Sequence, residues 1–244
     1  MFAGTYFVTG TDTGVGKTVV TALLVRHLRA QGLAARAVKP LCSGGREDAE
    51  RLRAAQDNAL SLDEINPWHF RAPLAPWLAA RREGARVRRA EMLAYLRRMR
   101  AGCAVLLIEG AGGLLSPLGE EFNARDLIAA LRATPLVVCP NRLGAINQAL
   151  LVLAALPPGA ARRAQLALVS QQRPDASSRS NAEVLRQRLG AGRVHLIPWL
   201  ADPNPVAGRA RGAVALRRTL DALLACETAA RLPDCACHAG GFRV

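Results

Sequence analysis

The feature that most constrains the fold is the run Gly10-Thr11-Asp12-Thr13-Gly14-Val15-Gly16-Lys17-Thr18. It lies between an apolar stretch, Thr5 to Thr9, and a helical pattern from about Thr18 to Gln31, which Gly32 is suited to end. Glycines let successive backbone N–H groups turn toward one anion, and the first turn of the following helix adds a favourable field. Strand, glycine loop and helix in that order, closing on Gly-Lys-Thr, read as a phosphate-binding loop. Thr13, Gly14, Val15 and Gly16 are expected to cradle a nucleotide. Lys17 is expected on the β- and γ-phosphates and Thr18 on Mg²⁺. The spacing is a variant, with five residues rather than four between Gly10 and Gly16.

The remainder alternates in the same way. Ala35–Val38, Val105–Ile108, Leu136–Cys139, Leu166–Ser170 and Val194–Ile197 read as short strands. Helical patterns lie between them near Asp48–Leu60, Arg89–Met99, Asp126–Leu131, Ile146–Leu156 and Asn181–Leu189. Uninterrupted apolar strands such as Val-Leu-Leu-Ile suit a sheet buried on both faces. The expected fold is α/β: a single domain to about residue 225, built on a parallel sheet flanked by helices. Residues 226–244 are expected to form a poorly ordered Cys/Gly-containing tail. Its Cys235-Ala236-Cys237-His238 cluster has metal-binding residue types but lacks the CxxC spacing. The longest uncharged apolar stretch, Leu143 to Ala161, is broken by Asn147, Gln148, Pro157, Pro158 and Gly159, a poor membrane span. With no leader-like start, a cytoplasmic protein with reduced cysteines is expected.

Formal net charge is +14, yet of 33 basic residues only Lys17 and Lys39 are lysine. Arginine fills the sites where any cation serves; lysine marks the two where a compact ammonium is needed. The arginines read as a solvated coat. No zinc finger, homeodomain-like helix or aromatic-interleaved basic strand suggests nucleic-acid binding. Lys39 follows the second strand and so should reach the ligand crevice at the carboxyl ends of the strands. A second ammonium there can stabilise charge on a transferring phosphoryl group. Ser43 either donates to a substrate oxygen or caps the next turn. The third strand ends in Glu109-Gly110-Ala111-Gly112-Gly113, placing a carboxylate at a buried strand tip, where P-loop enzymes hold Mg²⁺, with glycines that admit a ligand closely. Asp48 is equally readable as a helix N-cap. Gly144-Ala145-Ile146-Asn147 is either an ordinary turn or a helix N-terminus that receives a carboxylate.

Together these blocks resemble the dethiobiotin synthetases, ATP-dependent enzymes of biotin synthesis, from Thr5 to about Pro203. The variant P-loop, Lys39-Pro40-Leu41-Cys42-Ser43-Gly44, Asp48-Ala49, Asn66-Pro67, Pro73, Pro76, Glu83-Gly84, Glu109–Gly113, Ser116-Pro117-Leu118, Leu143–Asn147 and Ile197-Pro198-Trp199-Leu200 all occur in order. The resemblance implies carboxylation of 7,8-diaminononanoate by CO₂ to a carbamate. The carbamate attacks the γ-phosphate of ATP to give a carbamic–phosphoric anhydride, and the second amine then closes a ureido ring. It implies Thr18, Asp48 and Glu109 about Mg²⁺, and Gly110, Ala111, Gly112, Gln171, Pro198, Trp199 and Leu200 about the nucleotide. Lys17 and Lys39 would be catalytic. Ser43 would contact the diamine or the carbamate, and the Gly144–Asn147 turn of a second copy in a homodimer would take the substrate carboxylate.

Several positions depart from the family pattern. Gln171 stands where an adenine-recognising Asn is common, a glutamate is missing near Pro205, Trp77 replaces a His, and Gly14 replaces an acidic residue of some relatives. The chain also resembles the chromosome- and septum-positioning switch ATPases, but Asp12 holds the place of their signature lysine. A third reading is a diverged paralogue that binds nucleotide without biotin chemistry.

Overall fold

The computed structural model describes residues 2–200 and 211–225. Six parallel strands form the main sheet in the order β2-β5-β1-β6-β7-β8, counting two short strands that lie outside it. These six are β1 Gly4–Gly10, β2 Ala35–Val38, β5 Val105–Glu109, β6 Thr134–Asn141, β7 Gln165–Ser170 and β8 Val194–Ile197. The short strands β3 (Leu41–Ser43) and β4 (Trp68–Phe70) pair with each other, Cys42 opposite His69. Helices α1 (Lys17–Ala30), α2 (Glu47–Ala55), α3 (Leu62–Ile65), α4 (Pro76–Arg82) and α5 (Arg89–Arg100) fall before β5. After it come α6 (Ala124–Leu131), α7 (Ala145–Ala155), α8 (Pro158–Arg163), α9 (Asn181–Leu189) and α10 (Arg211–Leu224).

All six sheet strands were legible as apolar runs, with ends shifted by no more than two residues. The elements not expected are β3, β4, α3, α4, α8 and α10. The first five are only three to seven residues long, too short for a hydrophobic period to register. The tail, and with it Cys226, Cys235, Cys237 and His238, lies outside the described residues, as does Pro205. Among the described residues no helix is long and apolar enough to cross a membrane.

Because successive strand side chains point to opposite faces, the apolar strands feed two cores. Phe7, Leu106, Ile108, Val137 and Leu168 meet the helices of one face, including α5, α6 and α9. Tyr6, Val8, Val105, Leu107 and Val138 meet α1, α2 and α10 on the other. Leu24 and Leu28 of α1 are fully buried there, each worth about 1.5–3 kcal/mol of apolar burial. Gly32, at φ 76°, turns the chain out of α1, and Leu33 N–H bonds back to the Leu28 carbonyl at 3.1 Å.

Strand order reverses direction at β1, which lies between β5 and β6. That switch point opens a crevice beyond the carboxyl ends of the central strands. The loop after β1 and Glu109 at the tip of β5 both meet there, since Val8 is paired with Glu109.

At the far edge, buried His195 of β8 hydrogen-bonds Gln165 Oε1 of β7 at 2.8 Å, and burial lowers its pKa. The unfolded chain therefore binds a proton near the ordinary His pKa while the native chain resists it, so stability is lost as pH falls below about 6.5. The midpoint of urea unfolding is expected to drop between pH 8 and pH 5.5. The drop should be smaller in His195→Gln, which keeps a donor but cannot charge; equal drops in both proteins would refute the assignment.

Candidate active site

The P-loop is built by two steric demands. A Cβ at Gly10 would sit 2.6 Å from Val15 Cγ2, and Gly16 holds φ 98°, a conformation that favours glycine. Gly16 caps α1 without a side-chain hydrogen bond, leaving the first-turn N–H groups of α1 for a ligand. Lys17 is 6% exposed, and its Nζ donates to the Asp12 carbonyl at 2.7 Å, closing the loop on itself. Burial lowers the Lys17 pKa to about 8, with Glu109 pulling the other way.

Opposite the loop lies a buried charge cluster. Glu109, 1% exposed, accepts from Lys39 Nζ at 2.7 Å and from the Thr18 hydroxyl at 2.7 Å, both on Oε1. Lys39 also donates to Asp48 Oδ2. Burial alone would depress the Lys39 pKa, but the two carboxylates outweigh it and hold the ammonium charged. In return Lys39 keeps Asp48 below the ordinary carboxylate range against its own desolvation. Glu109 Oε2 is buried and has no hydrogen-bond partner. Asp48 is not the N-cap of α2. Arg46 holds that position, and Asp48 sits in the first turn with its carboxylate on Lys39.

An orphaned buried carboxylate oxygen beside a hydroxyl and a second carboxylate is a hard-oxygen donor set. It suits Mg²⁺, which is commonly held by one or two carboxylates together with substrate phosphates. The residues present therefore fit the metal.

One cleft of about 700 Å³ gathers most of the expected residues. Thr13, Gly14, Gly16, Lys17, Thr18, Lys39, Ser43, Asp48, Glu109, Ala111 and Gly112 line it. Ser43 ends β3, and the N-cap of the helix that follows is Arg46 rather than Ser43. Val15 instead buries its side chain in the core, and Gly110 N–H continues the sheet to the Val8 carbonyl at 2.9 Å; neither lines the cleft. Gln171 follows β7, and Pro198, Trp199 and Leu200 follow β8, so they share one side of the crevice without lining this cleft. Val169 links that side to the loop, since a Cβ on Gly16 would touch it at 3.5 Å. Gln171 Nε2 donates to the Val169 carbonyl at 3.3 Å, and Trp199 is 53% exposed. Gly144–Asn147 form the uncapped start of α7, also outside the cleft.

Sequence reasoning overlooked Cys42, Arg51 and Ser116 as parts of the cleft wall. Arg51 was findable, because it lies three residues after Asp48 on α2 and shares its face. Ser116 Oγ accepts from Gly113 N–H at 2.9 Å, a turn contact that only the loop geometry shows.

Residues 4–207 match the family described as an AAA domain. The ATP-dependent dethiobiotin synthetase of Anaeromyxobacter dehalogenans strain 2CP-1 is 42% identical over 210 residues, 84% of this chain and 93% of that one. The chain belongs to the dethiobiotin synthetase family. The synthetase of Bacillus subtilis strain 168 is 32% identical, covering 81% of this chain and 88% of its own. Among solved structures, the MinD cell division protein of Aquifex aeolicus covers 91% of this chain and 97% of its own, at a TM-score of 0.57 and 17% identity. That likeness, at this identity, shows the fold alone.

The charge cluster of this synthetase carries a direct test of stability. Lys39→Met leaves Glu109 and Asp48 without their counter-charge. Removing one partner of a buried pair costs about 3–5 kcal/mol, and here the cost should fall toward about 3 because Asp48 is half-exposed. Urea unfolding of Lys39→Met is expected to show that loss, and Mg²⁺ is expected to restore part of it. Wild-type stability in the variant would contradict a structural charge pairing.

Proposed function

We propose that this chain forms dethiobiotin from 7,8-diaminononanoate, CO₂ and ATP with the residues of the 700 Å³ cleft. It is an ATP-dependent ligase of biotin biosynthesis that forms C–N bonds, as its family membership establishes. The observation that carries the residue-level reading is that the chain's only two lysines, Lys17 and Lys39, line the same cleft, facing the two carboxylates and the hydroxyl of the donor set.

In this reading the open N-terminus of α1 and Lys17 bind the β- and γ-phosphates. Mg²⁺, when bound, neutralises phosphate charge, and Thr18, Asp48 and Glu109 would hold it. Lys39 spans the ground between the γ-phosphoryl group and the carbamate. A carbamate oxygen attacks the γ-phosphorus, the bond to the β-phosphate oxygen breaks and ADP leaves. The second amine attacks the carbonyl of the resulting anhydride, loses its proton and expels phosphate as the ring closes. Ser43, on the cleft wall, contacts the amines or the carbamate. The side chain of Gln171 and the 198–200 segment receive the base.

A homodimer completes the reading. α7 is almost wholly apolar, yet Leu151 is 61% exposed and Leu143, before its first turn, 79% exposed. Covering that stripe with a second copy would bring the uncapped Gly144–Asn147 turn of each chain toward the other's substrate carboxylate.

Phosphate release from Mg-ATP with bicarbonate is expected to depend on 7,8-diaminononanoate. Lys39→Arg, which keeps the charge and loses the compact ammonium, is expected to lower that rate by about 10²-fold with ATP binding intact. Nucleotide binding with no diamine-dependent release would favour the diverged paralogue. Leu151→Asp is expected to convert a dimer to a monomer in light scattering and to abolish diamine-dependent turnover together with it. A dimer that survives this change would place the interface elsewhere.

A further inference from the structure

Lys39 has a positional problem that the P-loop does not solve. The ladder between β2 and β5 ends at the Val38–Ile108 pair, so the Lys39 carbonyl has no sheet partner. Pro40 follows and takes the chain away from the sheet into β3 without offering an N–H. A buried carbonyl at that bend needs a donor from elsewhere.

Asn66 supplies it. It is 1% exposed and lies between α3 and β4. Its Nδ2 donates to the Lys39 carbonyl at 2.9 Å and faces the Pro40 and Trp68 carbonyls at 3.2 and 3.3 Å. The same segment takes up the Lys39 N–H on the Ile65 carbonyl at 3.1 Å. Both peptide groups of Lys39 are thus held by the α3–β4 junction.

The amide is itself held. Arg46 Nε donates to Asn66 Oδ1 at 3.1 Å, and a second guanidinium nitrogen donates to the Asn66 carbonyl at 2.9 Å. The acceptor contact fixes which way the amide faces, because Arg46 can only donate. Arg46 is also the N-cap residue of α2, two positions before Asp48, whose carboxylate meets the Lys39 ammonium. A closed loop of contacts follows: Lys39 backbone, Asn66 side chain, Arg46, the start of α2, Asp48, Lys39 Nζ.

We propose that Asn66, braced by Arg46, is the positioning residue that sets the backbone of Lys39 and its register against Asp48. The inference rests on the reading above in which Lys39 acts at the transferring phosphoryl group. Neither Asn66 nor Arg46 lines the cleft, so both act through Lys39 rather than on substrate.

The test uses full-length protein, with diamine-dependent phosphate release and fluorescent-ATP binding measured on the same preparations. Asn66→Asp keeps the shape and removes the donors to Lys39 and Pro40. It is expected to lower kcat at least tenfold, toward the ~10²-fold that about 1 Å of misplacement costs, while ATP affinity stays within about threefold. Arg46→Gln, on a partly exposed side chain, is expected to shift kcat in the same direction by about three- to tenfold. That variant decides the matter should Asn66→Asp not fold. A purely structural role would lower the melting temperature and the folded fraction and leave kcat per folded site unchanged. That result, or a parallel loss of ATP affinity and kcat, overturns the proposal. Wild-type protein that shows no diamine-dependent release overturns the functional reading instead, a result distinguishable from either.

Discussion

The contact between the Lys39 ammonium and the Glu109 carboxylate is the constraint around which the site is arranged. A carboxylate at 1% exposure cannot be kept charged in a sheet interior without an opposite charge and hydrogen bonds. Glu109 receives both on one oxygen, from Lys39 and Thr18, and leaves the other oxygen bare. Much of the local architecture serves to deliver that ammonium. β2 ends at Val38, Pro40 turns the chain outward, β3 pairs with β4 beside the main sheet, and α2 brings Asp48 back to the same nitrogen.

The two lysines are driven apart electrostatically by their surroundings. Lys17 rests on a neutral carbonyl in a site that disfavours its charge, and its pKa falls to about 8. Lys39 sits between two anions that more than repay its burial. Phosphate oxygens arriving at the start of α1 would give Lys17 an anionic partner in direct contact, closer than the carboxylates that act on it from a distance. A divalent cation held by Glu109 and Asp48 would share the charge of both carboxylates with Lys39, with Glu109 Oε2 the oxygen that Lys39 leaves open. The cleft thus has one ammonium short of negative charge and another well supplied with it, an arrangement suited to a ligand that carries both phosphate and metal.

The likeness to MinD shows how little the fold says about chemistry. A six-stranded parallel sheet with its switch point at β1 presents a phosphate loop to any nucleotide-driven process. The surroundings of Lys39 in this chain are carried by short, irregular pieces: β3 and β4, and α3 with Asn66 after it. None of them belongs to the main sheet, though Leu41 and Phe70 reach one core and Cys42 and Ile65 the other.

That division also explains what could be read from residues alone. The six sheet strands, the glycine loop after β1 and the meeting of Lys17, Lys39 and Glu109 at one cleft were legible, because uninterrupted apolar runs, glycine spacing and the scarcity of lysine are one-dimensional signals. The sequence by itself determined a parallel α/β sheet with a phosphate loop at its first strand, since hydrophobic periodicity and glycine sterics act between near neighbours. Only the tertiary structure decided that Asp48 turns to Lys39 rather than capping a helix, that the Val15 side chain packs in a core while the Gly110 N–H extends the sheet, and that Asn66 holds the Lys39 backbone from 27 positions away. Those outcomes depend on which buried charges and carbonyls find partners across the fold. That is settled by the packing of distant segments, on which local sequence has no purchase.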